Sequence, residues 1–300
     1  MPPLLSFSPE VANAIGRRQP LVALESTVIA HGLPRPHNLN LAQRMETIVR
    51  ECGATPATIA ILNGQIKVGL TPDELNYLAN ADNVVKVSRR DFPIVATRKQ
   101  DGATTVAGTM IVAAWAGIKV FATGGIGGVH RGDGTDISAD LPELSRTSVA
   151  VVCAGAKSIL DLPATLEWLE TAGVPVIGYQ TDEFPAFYSR SSGLKLEARA
   201  DNASEAAQMI QTKWDMGLEG GVLIVNPIPK KDSLDPAKMA IAISHAISES
   251  QVNGIIGKQL TPFLLARLSE ATKGESLKAN IALLENNARL AAMIAGEMSL

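Results

Sequence analysis

The chain is poor in aromatic residues, which make up 4% of its 300 positions. A core of the size this length allows must therefore be built mainly from Ala, Val, Ile and Leu. Cysteine is nearly missing too. Cys52 and Cys153 lie far apart in sequence and read as free thiols in a reducing compartment rather than as a disulfide. No charge of one sign predominates, since 27 basic side chains face 30 acidic ones for a formal charge of -3. That balance excludes the basic field of a nucleic-acid binder and the acidic tail that would seek a basic partner. The pairs Arg89-Arg90 and Arg98-Lys99 are too small a cluster to change this. No apolar stretch approaches the length of a membrane span. The opening MPPLLSFSPE lacks the basic and then apolar sequence of a signal peptide. The expectation is a cytoplasmic protein with no membrane or nucleic-acid partner. With no repeat, linker or low-complexity tract, one domain over residues 1–300 is expected.

Short apolar runs alternate with helical patterns as far as about residue 250. Strands are predicted at 21–24, 58–62, 66–68, 84–87, 93–96, 119–122, 148–153, 174–179 and 221–225. Asn63-Gly64 between two apolar runs signals a hairpin. Helices are predicted at 9–17, from Asn38 to Cys52, after the capping box of Thr71 and Glu74, and at 103–116, 163–172, 204–214 and 236–249. The 103–116 segment, ATTVAGTMIVAAWA, is apolar on nearly every face and should be buried. Two further helices, 261–272 and 276–298, should pack on the body. The pattern is α/β: an α/β/α sandwich with a central, mostly parallel or mixed sheet.

The chemistry concentrates in residues 121–161. An apolar run ends in Gly124, Gly125, Gly127 and Gly128, a polar segment follows, and a second apolar run ends in Ala154-Gly155-Ala156-Lys157. Strands that run out into glycine and then charge form the pattern of a site at strand ends. The glycines fit neither a Walker loop nor a full dinucleotide fingerprint, and support only a cradle of backbone amides for phosphate or sugar.

Glu25 directly follows the buried strand Leu21–Leu24, where it is either a salt-bridging loop carboxylate or a general acid or base in a partly apolar pocket. Lys157 is flanked by small and apolar residues. It is either a snorkelling surface side chain or a poorly solvated amine able to form an imine with a sugar carbonyl carbon. Lys86, among valines at another strand end, is a candidate anion ligand. Asp133, Asp136 and Asp140, with Ser138, are either an ordinary acidic turn or a hard-cation site for Mg²⁺ or Mn²⁺. No Cys-His spacing suggests zinc. His37 and His245 read as structural.

Taken together, ALESTVIAHGLP (23–34), PATIAILNGQIKVGL (56–70), KVSRRD (86–91), GATTVAGTM (102–110), FATGGIGGVHRG, DISADL and VVCAGAKSILDL (151–162) resemble the pseudouridine-5′-phosphate glycosidase family, which includes the indigoidine-cluster A proteins. GVPVIGYQT, NPIP, TPFLLAR and GESLKAN carry the likeness into the last helix. The resemblance implies an α/β/α sandwich that assembles as a homotrimer. It also implies reversible cleavage of the C1′–C5 bond of pseudouridine 5′-phosphate to ribose 5-phosphate and uracil. One Mn²⁺ per subunit is implied, with Mg²⁺ or another divalent cation as alternatives. By motif, Glu25 becomes the proton donor, Lys157 the imine-forming nucleophile and Asp136 the metal ligand. Substrate contacts fall on Lys86, Val106, Ser138, Ala139 and Asp140, with His130 and Asn280 as further contacts to the phosphate end or ribose. The loop Asp133-Gly134-Thr135 is shorter than the family's usual form. Two other readings stand beside this one: an aldolase-type lyase using Lys157, and a non-catalytic phosphosugar binder.

Overall fold

A computed structural model describes residues 5–132, 134–255, 257 and 260–298. The chain begins with β1 (Leu5–Phe7), α1 (Pro9–Gly16), β2 (Leu21–Leu24), α2 (His37–Glu51) and the hairpin of β3 (Thr55–Leu62) with β4 (Gln65–Val68). Asn63 and Gly64 both take positive φ at the hairpin tip, which is why Asn-Gly reads so clearly there. Next come α3 (Pro72–Asn80), β5 (Val85–Val87), α4 (Phe92–Thr97), β6 (Gly102–Thr104), α5 (Val106–Trp115), β7 (Val120–Ala122) and β8 (Val129–His130). The chain continues through α6 (Asp140–Leu144), β9 (Ala150–Cys153), β10 (Leu160–Asp161), α7 (Leu162–Thr171), β11 (Val176–Tyr179), β12 (Ala198–Ala200), α8 (Ala203–Asp215) and β13 (Val222–Val225). It ends with α9 (Pro236–Val252), α10 (Leu260–Ala271) and α11 (Glu275–Glu297).

An 11-stranded sheet runs in the order β1-β4-β3-β2-β7-β9-β13-β11-β12, with β6 also paired to β3 and β5 to β6. From β3 through β12 along this order every pairing is parallel, whereas β4 and β6 lie antiparallel to β3. The mixed, mostly parallel sheet predicted from the alternation is thus present, and the antiparallel pairs gather at the hairpin side. Helix α5 is buried from Val106 to Ala113 and packs on β2 and β7. Helix α11 packs on the same strands from the other face, beside α2 and α8. Helices on both faces are what buries strands as uniformly apolar as Ala150–Cys153 and Val222–Val225. One contiguous apolar cluster extends from Val11 to Ala295. It is built almost wholly from aliphatic side chains, with Phe121, Phe184 and Tyr188 among its few large aromatics.

Two predicted elements change. Residues 93–96 are not a strand but the body of α4: Pro93 sits in its first turn, where a missing N–H costs nothing. The predicted helix 103–116 starts later, because Gly102–Thr104 forms β6 between β3 and β5. Thr105 then caps α5, its hydroxyl accepting from the Gly108 amide at 3.2 Å. Both cysteines are free, Cys153 buried in β9 and Cys52 at the end of α2. Among the described residues no helix is long and apolar enough to cross a membrane.

Candidate active site

In a parallel sheet, ligands gather at the carboxyl ends of the strands. Here β2 delivers Glu25, β7 delivers Thr123 and the glycines, β9 delivers Lys157 through its turn, and β5 carries Lys86. The turn into Lys157 is tightly determined. Gly155 has φ +85°, and a Cβ there would lie 2.5 Å from the Pro185 carbonyl oxygen. The Ile126 amide donates to the Gly155 carbonyl and the Lys157 amide to the Ile126 carbonyl, both at 3.1 Å. Lys157 is thereby fastened alongside the glycine run.

Two adjoining cavities open at this edge. The outer one is a polar cleft of about 490 Å³, which includes Lys86, Val106, His130, Asp136, Ser138, Ala139 and Asp140 in its wall. The inner one is a narrower recess whose walls include Phe187, Leu265, Leu284, His31 and Asn280. Glu25, Lys86 and Lys157 line both. Ten of the residues singled out from the sequence therefore line these two cavities, with Glu25, Lys86 and Lys157 shared between them.

Burial pushes the Glu25 pKa up. Lys157, the hydroxyl of Thr123 and Lys86 act against this, and Asp140 adds to it. Thr123 donates its hydroxyl to Glu25 Oε1. The His130 pKa is lowered, first by burial and then by Lys157 and Lys86, against the pull of Asp136. At the cleft mouth Arg89 is clamped by buried Glu143, while the Arg90 side chain is largely exposed. With Lys86 and Lys157 these guanidinium groups give the outer cleft cations suited to a phosphate.

Asp136 is exposed in the cleft, whereas Asp140 is buried and both its oxygens accept backbone amides, those of Ala107 and Gly127. Asp133 lies outside the described residues. Among the described residues no group of three His, Cys, Asp or Glu side chains is placed to hold a metal. Among the described residues of the predicted acidic loop, Asp136 offers an exposed carboxylate, and such a donor fits a cation that keeps most of its waters. Thr123, Thr261, His31 and Phe187 also line the site and were not marked as site residues in the sequence. Each comes from a strand end, loop or helix start without a charged signature.

An acid and a lysine set between a cation-lined polar cleft and an apolar recess, at the carboxyl edge of an α/β sheet, define an enzyme of the phosphosugar-handling kind. The family model described as "Indigoidine synthase A like protein" matches residues 10–297, and the chain belongs to that family. It is 59% identical over 297 residues to the pseudouridine-5′-phosphate glycosidase of Geobacillus kaustophilus, covering 98% of this chain and 99% of the relative. The protein of the same name from Caldanaerobacter subterraneus subsp. tengcongensis is 57% identical over 98% of this chain and 97% of its own. The crystal structure of the prealnumycin C-glycosynthase AlnA in complex with ribulose 5-phosphate superposes with a TM-score of 0.92 at 40% identity. It covers 100% of this chain and 98% of that one. An indigoidine synthase A-like protein from Thermotoga maritima gives 0.91 at 37% identity, covering 99% and 97%.

Proposed function

We propose that the protein is a pseudouridine-5′-phosphate glycosidase that works through a lysine imine. The observation that carries this reading is the placement of Glu25 and Lys157 together where the polar cleft meets the apolar recess. The phosphate end of the substrate then lies in the cleft, against Lys86, the first turn of α5 at Val106 and the Ser138–Asp140 segment. His130 lies on the same side. Uracil lies in the recess, against Phe187 and Leu284, with Asn280 able to hydrogen-bond its edge.

A carbon leaving group explains why two carboxylates would not suffice here. Glu25 gives a proton to the ribose ring oxygen as the C1′–O4′ bond breaks, and the amine of Lys157 bonds to C1′. The attached nitrogen gives its extra proton to the now ionised Glu25, and its freed lone pair forms the C=N bond while the C1′–C5 electron pair stays with C5, which takes that proton from Glu25. Water adds across the imine, releasing ribose 5-phosphate and restoring the amine. Raising the pKa of Glu25 keeps a larger share of it protonated near neutral pH, as a proton donor requires. Asp136 would hold a Mn²⁺ or Mg²⁺ through one carboxylate, and such an ion supplies charge neutralisation for the phosphate. On the same reading the enzyme is a cytoplasmic homotrimer, an assembly that light scattering on the purified protein tests.

The deciding experiment has two readouts. Pseudouridine 5′-phosphate should release uracil, followed by absorbance. Borohydride with ribose 5-phosphate should trap a covalent adduct on Lys157, identified by mass spectrometry. Full activity in Lys157→Ala, or no adduct from an active enzyme, overturns the imine route. An aldolase-type lyase would leave pseudouridine 5′-phosphate intact.

A further inference from the structure

Helix α11 packs on β2, β7 and β9, and just beyond β7 Gly124 lets it come close. A Cβ at Gly124 would stand 3.3 Å from both Leu283 Cδ1 and Leu284 Cδ2. One turn further along the helix is Asn287, a wholly buried amide with Leu283, Leu284, Ala288 and Ala291 on the same buried face. Its Nδ2 donates to the Thr123 carbonyl at 2.8 Å and lies 3.4 Å from the Gly124 carbonyl. Its Oδ1 accepts from Asn226 Nδ2 at 3.1 Å. The orientation is forced by chemistry. Two carbonyl oxygens face one end of the amide, so that end must carry the NH₂, and the other end must accept. Asn226 is itself fixed just beyond β13, where its backbone N–H donates to the Cys153 carbonyl at 2.8 Å. The pair thus ties the ends of β7, β9 and β13 together beneath the site. The residue it holds by the carbonyl, Thr123, is the one whose hydroxyl reaches Glu25.

We infer that Asn287, set by Asn226, is a positioning residue for catalysis: it fixes the Thr123 backbone so that the Thr123 hydroxyl stays on the Glu25 carboxyl group. Neither asparagine touches the cavity, and the residues assigned to the phosphate end lie on other elements. A buried amide is costly to leave unsatisfied, so this network holds one geometry or is lost altogether. The charged groups around Glu25 are Lys157, Lys86 and Asp140; Thr123 is its neutral donor. A hydroxyl donated to a carboxylate favours the ionised form. Losing that bond therefore moves the pH limb governed by Glu25 to higher pH.

The inference rests on the glycosidase reading, and its test separates the two. Wild-type protein must first release uracil from pseudouridine 5′-phosphate; if it does not, the proposed function fails. With active wild type, Asn287→Leu and Thr123→Val should each lower kcat about tenfold. In both, KM should stay within about twofold, and the Glu25 limb should move upward in pH. Thr123→Ser, which retains the hydroxyl, should keep the wild-type limb. The double variant should be no worse than Thr123→Val alone, because both changes break one linkage. Should Asn287→Leu fail to fold, Asn226→Asp serves instead. Its carboxylate cannot donate, so it turns the Asn287 amide around and draws the NH₂ away from Thr123. Multiplying losses, an unmoved limb, or a loss seated in KM overturns the inference.

Discussion

The Asp140 carboxylate accepts the Gly127 amide at 2.8 Å through Oδ2, while its Oδ1 accepts the Ala107 amide at 2.9 Å. One side chain thus joins the glycine run after β7 to the first turn of α5. Asp140→Ala leaves both buried amides without an acceptor, at about 1–3 kcal/mol each. Urea unfolding should show a loss of about 2–6 kcal/mol, and uracil release should fall at least about 100-fold. Asp140→Asn, which keeps one acceptor, should fall between this variant and wild type.

The same region tolerates no added methyl group. A Cβ on Gly127 would lie 2.6 Å from Ser138 Cβ and 2.9 Å from Asp140 Oδ2. On Gly125 it would lie 2.7 Å from the Phe187 ring and 2.9 Å from the Gly155 carbonyl oxygen. Gly125→Ala and Gly127→Ala should each cost about 1–3 kcal/mol by thermal or urea denaturation. Gly125→Ala should weaken uracil binding in the synthetic direction more, because it displaces Phe187. Gly127→Ala should weaken ribose 5-phosphate binding more, because it displaces Ser138.

Glu25 gives a pH signature in stability as well as in rate. Its folded pKa is raised, so between the ordinary glutamate value and that raised value the folded state holds more protons than the unfolded one. Stability therefore declines as pH rises through that window and levels off above it. Glu25→Gln cannot ionise, so its stability advantage over wild type should appear above the ordinary glutamate range and grow with pH. Paired Tm measurements from pH 4 to 9 check this. The same variant should lose about 10²–10⁴ in kcat.

Burial pushes the Cys153 thiol up to about 12, and the side chain is fully enclosed in β9. Cys52 is only partly buried, with Arg289 Nη1 3.8 Å from its sulfur. A thiol reagent at pH 8 should modify Cys52 in the native protein and reach Cys153 only after unfolding. Mass spectrometry of labelled peptides distinguishes the two positions.

Much of the candidate site can be read from the sequence because its charged members follow strand ends. Glu25 after Leu24 and Lys157 after the Ala-Gly-Ala turn stand out against apolar runs. The neutral members carry no such contrast. Thr123 is one threonine among apolar residues, and its importance depends on where Glu25 lies, 98 positions earlier. Asn287 left a fainter trace: with Leu283, Leu284, Ala288 and Ala291 it falls on the buried stripe of α11, where an amide needs a partner. Its partners, Asn226 and the Thr123 carbonyl, are fixed only by the fold. Pro93–Ala96 misleads for a local reason, since a short apolar run with β-branched residues fits a strand or one helical turn equally well. Thr105 at the N-cap is the local sign that α5 starts at Val106.

The placement of α11 also bears on the order in which the protein is made. A chain translated as far as Thr272 already contains Glu25, Lys86 and Lys157. It still lacks Asn280 and Leu284 for the recess and Asn287 beneath Thr123, and β2, β7 and β9 still want their cover. Synthesis must therefore bring out the last helix before the amine and the acid share a closed site. An unfinished or prematurely terminated chain would carry these three side chains without the helix that completes the cavity around them.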